Sequence, residues 1–279
     1  MSSPRTIRLN NGVAVPQVGF GVFQIPPDAT RDAVESAIAA GYRHIDTAAA
    51  YNNEAGVGAA IRASGIPREE FFVTTKLRNG EQGRAGAVAA YGDSVQRLGL
   101  DYADLYLIHW PNPEAGLFVE SWRGLERLYQ DGRVRAIGVS NFLPEHLDTL
   151  LVETEVVPSV NQLEVHPTFQ QRELLAMCRD HGIAVEAYSP LGRGQDLHDP
   201  VVVGIAAEHG VTPAQVILRW HVELGHIVIP KSVSPERVRS NIELDGLDLS
   251  RAEVEQISAL DRGERTGNDP RTFSLSQIR

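Results

Sequence analysis

The sequence predicts an α/β protein, a closed (β/α)8 TIM barrel, and three observations lead there. Eight short β-rich runs alternate with amphipathic stretches of ten or more residues. Most runs follow one another at roughly 25 to 35 residues, the length of one βα unit. Several runs are apolar on both faces, as in Leu105-Tyr106-Leu107-Ile108, which suits a parallel sheet covered by helices. The chain has 279 residues, 42% of them hydrophobic, enough for one such barrel spanning residues 1–279 as a single domain. The competing architecture is an open doubly wound sheet, which needs more polar edge strands than these.

The elements follow in order. Residues 6–9 and 13–16 flank Asn10-Asn11-Gly12. Asn-Gly between short apolar segments predicts a β-hairpin, here an N-terminal cap on the barrel. The eight strands are expected at residues 18–21, 44–46, 72–76, 105–109, 136–140, 160–164, 184–189 and 227–230. The helices are expected at 31–40, 54–63, 86–98, 118–130, 144–151, 171–181, 213–223 and 235–242. Two extra helices, 201–209 and 251–260, exceed the eight-unit count. The tail from Gly263 is rich in Gly, Pro, Thr and Ser and reads as a loop.

Composition narrows the partners. A net charge of −10 and a pI of about 5.4 argue against non-specific binding to nucleic acid or an anionic membrane. A local basic pocket is still compatible with that exterior. The N-terminal residues lack the apolar core of a signal peptide, and no apolar run approaches the ~20 residues needed to span a bilayer. A cytoplasmic protein is the resulting expectation. The single cysteine, Cys178, excludes an intrachain disulfide and reads as a small buried apolar residue. His221 and His226 lack metal-ligand spacing with carboxylates, so they are expected to be surface or satisfied histidines, with no metal site.

Polar residues gather where the predicted strands end: Asp46, Lys76, His109, Ser140 with Asn141, Gln162 with Glu164, and Lys231 with Ser232. In a barrel these ends form one face, where active sites sit. A charge at the end of a buried strand is costly unless paired, and Asp46 and Lys76 belong to adjacent strands. Tyr51 follows in a loop of small residues, Thr47-Ala48-Ala49-Ala50. A tyrosine pKa of about 10 makes it a poor acid at neutral pH. A Lys76 ammonium held charged by Asp46 is expected to lower it, and His109 can reach the same substrate oxygen. Taken singly, each of these residues is usually an ordinary ion pair or satisfied polar group; the argument is their convergence.

Gly41-Tyr42-Arg43-His44-Ile45-Asp46-Thr47-Ala48, with Tyr51 and Asn53-Glu54, closely resembles the first signature of the aldo-keto reductases. Further family motifs follow in order: Thr74-Thr75-Lys76-Leu77, Leu105 to Pro111, Ile137 to Phe142, Asn161 to Pro167, Ala187 to Gly192, and Ile229-Pro230-Lys231-Ser232 with Arg237 and Asn241. The resemblance covers essentially the whole chain, and its short loops are most similar to the bacterial diketogluconate reductase branch. It implies a catalytic tetrad of Asp46, Tyr51, Lys76 and His109, with Tyr51 the proton donor in an NADPH-dependent reduction of a small-molecule carbonyl. It implies that Ser140, Asn141 and Gln162 hold the nicotinamide amide and that Tyr188 stacks on the ring. Ser189, Leu191 and Gly192 would follow the pyrophosphate. Gly21, Val22, Asp46, Val233 and Asn241 complete the implied cofactor contacts. Phe23, Ala48, Tyr51, His109 and Trp110 would line the substrate pocket, and the branch suggests a monomer.

Gly19-Phe20-Gly21 begins like a dinucleotide fingerprint, but Gln24 stands in place of its third glycine. The cofactor is therefore expected on the barrel rather than on a Rossmann fold. Lys231, Ser232 and Arg237 around a helix start suit a phosphate monoester, which only NADPH carries on its ribose. Arg78 stands where the family usually has tryptophan; it either offers the pocket a polar wall or turns outward. Asn52 replaces a frequent glycine, and Ser240 replaces a usual Glu or Gln near the adenine. Two other classes remain: a cofactor-binding sensor or scaffold, and a barrel enzyme using Lys76 as a Schiff base. A lysine paired with Asp46 stays protonated, which disfavours the last.

Overall fold

The computed structural model describes residues 5–275. Strands β1 (Thr6–Arg8) and β2 (Ala14–Pro16) form the antiparallel hairpin, with Ile7 opposite Val15. Eight parallel strands follow: β3 (Phe20–Gly21), β4 (His44–Asp46), β5 (Phe72–Leu77), β6 (Leu105–Ile108), β7 (Ala136–Ser140), β8 (Val160–Glu164), β9 (Ala184–Tyr188) and β10 (Ile227–Val228). Each pairs with the next in sequence. A parallel bridge between Val18 and Val228 joins last to first and closes the barrel. The Gly19 amide, donating to the Val228 carbonyl at 2.8 Å, reinforces that seam.

The hairpin plugs the bottom of the barrel. Leu9 and Val15 pack with Phe72, Leu105, Ala136, Val160 and Ile227 from the strand starts. Asn10 and Asn11 stitch it down by donating to the Pro158 and Arg135 carbonyls, both at 3.0 Å. Burying each such aliphatic side chain contributes about 1.5–3 kcal/mol.

Ten helices surround the sheet among the described residues: α1 (Pro27–Ala39), α2 (Glu54–Ala63), α3 (Arg84–Leu98), α4 (Phe118–Gln130), α5 (Pro144–Glu153), α6 (Arg172–Asp180), α7 (Pro200–His209), α8 (Pro213–Glu223), α9 (Pro235–Ile242) and α10 (Arg251–Ser258). The extra helices α7 and α10 pack Val202, Ile205 and Ile257 against Val216 and Trp220 of α8. Gly58 of α2 sits where a β-carbon would lie 1.6 Å from the Leu98 carbonyl, so only glycine lets α2 meet the end of α3. Among the described residues no single helix is long and apolar enough to cross a membrane.

Some boundaries differ from the predicted ones. Helix α1 begins at Pro27 rather than residue 31, because Pro26 and Pro27 preset the backbone and Thr30 Oγ1 bonds the Pro26 carbonyl at 2.8 Å. Strand β9 stops at Tyr188 because Ser189 turns to a positive φ of 47°. Strand β10 stops at Val228, two residues before Pro230, which has no amide to donate.

His221 and His226 are not at the surface. Both are buried, their Nδ1 atoms lie 3.1 Å apart, and His221 Nε2 lies 3.2 Å from the Pro190 carbonyl. They are satisfied core histidines, and burial lowers the pKa of both. Cys178 is buried in α6, and burial pushes its thiol up to about 11.

Candidate active site

Period-two alternation sets which side chains enter the barrel. On β4, His44 and Asp46 point inward. On β5, Thr74 and Lys76 do so, and the His44 Nε2–Thr74 Oγ1 contact of 3.2 Å marks that shared layer. Lys76 Nζ donates to Asp46 Oδ1 at 2.6 Å and to the Thr47 carbonyl at 2.9 Å. Lys76 is 0% exposed and Asp46 2%, so neither charge is solvated by water. Asp46 Oδ2 accepts from Gln162 Nε2 at 2.8 Å, across the barrel from β8.

Tyr51 closes a short 3-10 turn, Ala49–Tyr51, and Asn52 then takes a left-handed φ of 57°. Asn tolerates that backbone, so the glycine usual there is not needed. The turn is clamped from two sides. Buried Asn53 accepts from Thr47 Oγ1 at 2.8 Å and donates to the Val22 carbonyl at 3.0 Å. Arg78 Nη2 donates to the Ala49 carbonyl and, at 3.4 Å, to Asn52 Oδ1. Arg78 therefore neither turns outward nor stands free in the pocket; it braces the Tyr51 turn.

The Tyr51 ring is half-buried. Its centroid is 5.1 Å from that of Phe23, 5.5 Å from that of His109, and 5.1 Å from Lys76 Nζ. Its hydroxyl makes no hydrogen bond among the described residues. The expected lowering of its pKa by Lys76 is not what this geometry produces. Burial first, then Asp46 and Glu186, raise the phenol well above the ordinary tyrosine value. Lys76 directs its charge into Asp46 and the Thr47 carbonyl instead. His109 is also buried; burial and the Lys76 charge push its pKa well down, leaving a neutral imidazole.

Next to this cluster, Ser140 Oγ donates to the Gln162 carbonyl at 2.9 Å. Asn141, at φ 64°, donates to the His109 carbonyl at 3.0 Å and accepts from the Tyr188 hydroxyl at 2.8 Å. Half-buried Tyr188 thus anchors a polar ledge at the ends of β7 to β9. Ser189 and Leu191 lead from it to Gly192, whose φ is 56° and whose β-carbon would meet the Asp196 carboxyl at 2.8 Å. Gly21 sits on the barrel seam, its amide donating to the Pro230 carbonyl at 3.2 Å.

Lys231 and Arg237 lie at the rim, exposed, at the start of α9. Neither forms an ion pair among the described residues, although the chain carries a net charge of −10. Ser234 caps that helix, accepting from the Arg237 amide at 3.4 Å, and Ser232 Oγ accepts from the Ser234 amide at 3.1 Å. Val233 is exposed beside them, while Asn241 is buried on α9. Among the described residues the Ser240 hydroxyl donates only to the Arg237 carbonyl, at 3.3 Å. Val22 and Ala48 are both fully covered by protein.

Trp110 is covered too. Phe273 from the tail stacks on it with centroids 4.3 Å apart. The tail is latched at a second point: Glu164 accepts from the Thr266 amide and hydroxyl, both at 2.6 Å, and from the Gly267 amide at 2.9 Å. Burial alone would raise the Glu164 pKa, but these bonds and one from His166 hold it at about 2. Reading the tail as a plain loop missed this strap. Its clearest sequence signal is the tail's single aromatic, Phe273. Sequence reasoning also passed over Glu186 and His44, whose inward direction depends on strand register. Among the described residues no group of three or more His, Cys, Asp or Glu side chains is placed to hold a metal.

Comparison with known proteins identifies the family and the fold. The model of the Aldo/keto reductase family matches residues 17–262. An aldo-keto reductase of Mycolicibacterium smegmatis is 56% identical over 98% of this chain and 99% of its own. A glyoxal reductase of Bacillus subtilis is 47% identical over 95% of this chain and 96% of its own. A crystal structure of a Gox0644 mutant in complex with NADPH superposes with a TM-score of 0.94, at 44% identity, covering 98% of this chain and all of that one.

Proposed function

Because this chain belongs to the aldo/keto reductase family, we propose that it reduces aldehydes and ketones to alcohols with NADPH, with Tyr51 as the proton donor. The observation that carries this reading is the convergence of Tyr51, His109, Lys76 and Asp46 on one face of the barrel. All four come from one chain, so the chemistry requires no second copy.

The cofactor site follows from the donor set. Lys231 and Arg237, without an ion pair among the described residues and beside Ser232 at the helix start, would hold the adenosine 2′-phosphate; NADH lacks that group. Ser189, Leu191 and Gly192 would pass the pyrophosphate. Ser140, Asn141 and Gln162 would bind the carboxamide, and Tyr188 would face the nicotinamide ring. When bound, NADPH supplies the hydride that reaches the carbonyl carbon.

The protein's own residues then manage the oxygen. Tyr51 keeps its proton at neutral pH because its pKa is raised, so it enters the reaction as a donor. An alkoxide forming on the substrate is a stronger base than a phenolate and takes that proton. Neutral His109 donates a hydrogen bond to the same oxygen and orients the carbonyl. The phenolate left behind faces the Lys76 ammonium, which Asp46 holds in place. Lys76 is a poor Schiff-base nucleophile here, since its proton is committed to Asp46 and Thr47.

Phe23, Tyr51, His109 and Trp110 would border the substrate, with the tail over Trp110. α-Dicarbonyls and keto-sugars are the first compounds to try, the former because a relative is a glyoxal reductase. The test is loss of NADPH absorbance with aldehydes, α-diketones and keto-sugars, beside NADH controls. Tyr51→Phe is expected to bind NADPH nearly as well and to lose turnover by ~10²-fold or more. Substantial reduction by that variant would remove Tyr51 from the acid role.

A further inference from the structure

Glu186 lies inside the barrel, two residues before Tyr188, and the reaction above leaves it unused. It is fully buried in the layer of His44, Asp46, Lys76 and Gln162. Its Oε1 accepts from Gln162 Nε2 at 3.1 Å, and the same nitrogen donates to Asp46 Oδ2 at 2.8 Å. Its Oε2 is buried with no hydrogen-bond partner among the described residues. The titratable groups around it are His44 and Asp46 on β4, Lys76 on β5 and Tyr51 on the loop above; β3 and β10 present only Phe20, Gly21, Ile227 and Val228. His44 Nε2 is 3.9 Å from Glu186 Oε1, but its hydrogen bond goes to Thr74.

Two carboxyl groups are therefore joined by one amide, and only one of them has an ammonium. Asp46 has both oxygens bonded and Lys76 at 2.6 Å. An ionised carboxylate with a sealed, unpartnered oxygen is far costlier than a neutral carboxyl. Asp46 thus carries the charge and Glu186 keeps its proton. Ionised Asp46 can only accept, so the NH2 end of the Gln162 amide must face it, and Glu186 Oε1 accepts from that same nitrogen. The side-chain amide oxygen of Gln162, Oε1, is left facing away from both, with no hydrogen bond among the described residues, whereas the backbone carbonyl accepts from Ser140 Oγ.

We propose that Glu186 is a positioning residue: as a neutral carboxyl inside the barrel, it fixes the Gln162 amide so that its carbonyl oxygen accepts from the nicotinamide carboxamide NH2. This rests on the NADPH reading above. Burial first, then the Asp46 charge, pushes the Glu186 pKa up to about 8, against smaller opposing effects of Lys76 and Gln162. An acid that holds its proton only when folded binds more protons in the native state than in the unfolded one. It therefore lowers stability as pH rises from the unfolded carboxyl pKa, about 4.3, toward 8.

Glu186→Gln and Glu186→Met separate the roles. The first keeps a neutral acceptor for Gln162, and the second removes it at similar volume. NADPH affinity is read by quenching of protein fluorescence, and thermal unfolding of the cofactor-free protein is followed from pH 5 to 9. Glu186→Met is expected to weaken NADPH binding ~10-fold, the loss of one buried hydrogen bond, and Glu186→Gln to restore it to within about 2-fold of the parent. The parent should lose unfolding temperature between pH 5 and 8 more steeply than Glu186→Gln. Parent-like NADPH binding by Glu186→Met, or equal impairment of both variants, would overturn the positioning role. Identical pH dependence of unfolding in the parent and Glu186→Gln would overturn the neutral carboxyl, even if Glu186→Met fails to fold. A parent that binds no NADPH would refute the cofactor reading instead, while the unfolding comparison would still decide the protonation.

Discussion

Replacing Lys76 by Met tests the centre of the site most directly. Lys76 is 0% exposed, and its ammonium is the cation paired with Asp46, at 2.6 Å. Methionine replaces the apolar stem as far as Cε and omits only the ammonium, so little packing is lost. What remains is a carboxylate that is 2% exposed and, among the described residues, keeps only the Gln162 amide. Removing one partner of a buried ion pair costs about 3–5 kcal/mol. At roughly 2–4 °C per kcal/mol for a large domain, the unfolding temperature should fall by about 6–20 °C. The double variant Asp46→Asn with Lys76→Met removes both charges and should recover most of that loss. The cycle needs only thermal or urea unfolding of the two single variants, the double variant and the parent at pH 7. Turnover measured alongside should fall in all three variants, because none keeps the ammonium and its anchor together. A loss below about 1 kcal/mol in Lys76→Met, or strictly additive variants, would refute the claim that the pair is mutually dependent.

Charge reversal at the rim, Lys231→Glu with Arg237→Glu, should raise the KM for NADPH by ~10²-fold or more while barely changing that for NADH, since each charge-assisted bond contributes about 1.5–3 kcal/mol; equal effects on both cofactors, in parallel steady-state assays, would remove these residues from the phosphate site. Glu164→Gln should loosen the tail strap. The fall of its pKa from 4.5 to about 2 corresponds to about 3 kcal/mol. A depressed carboxyl contributes above its unfolded pKa and loses that contribution as pH falls toward 2. The unfolding-temperature gap between parent and variant should therefore be full at pH 6 and closed near pH 2; a gap independent of pH would show that the carboxylate charge is not what holds Thr266 and Gly267.

Much of the architecture is legible in residue order. Strand runs apolar on both faces can be buried only in a helix-covered parallel sheet, and eight of them at βα spacing leave little choice but a barrel. The hairpin announces itself through Asn11-Gly12, because glycine supplies the positive φ of 86° that the turn needs. Asp46, Lys76, His109 and Ser140 are placed by the same logic, since each lies within one residue of a strand's end and all strand ends share one face. Tyr51 follows from the small-residue loop just past Asp46; the motif resemblance adds Tyr188 and joins Lys231, Ser232 and Arg237 into one phosphate site, which no periodicity does.

Only the tertiary structure decides how these charges act on one another. Whether Tyr51 is acidified or kept protonated depends on where Lys76 points its hydrogen bonds, and those go to Asp46 and Thr47. Arg78 could be read as a pocket wall or as a solvated cation until the Ala49 carbonyl was seen to hold it. Glu186 is one polar letter in a β-run; its register beside Gln162 makes it part of the site. Phe273 meets Trp110 from 163 positions away along the chain. Local periodicity and turn chemistry are carried by neighbours in sequence, so the sequence alone determined the barrel and the face that bears the chemistry. Electrostatic environment, burial and long-range packing are sums over neighbours in space, and the closed barrel brought those neighbours together.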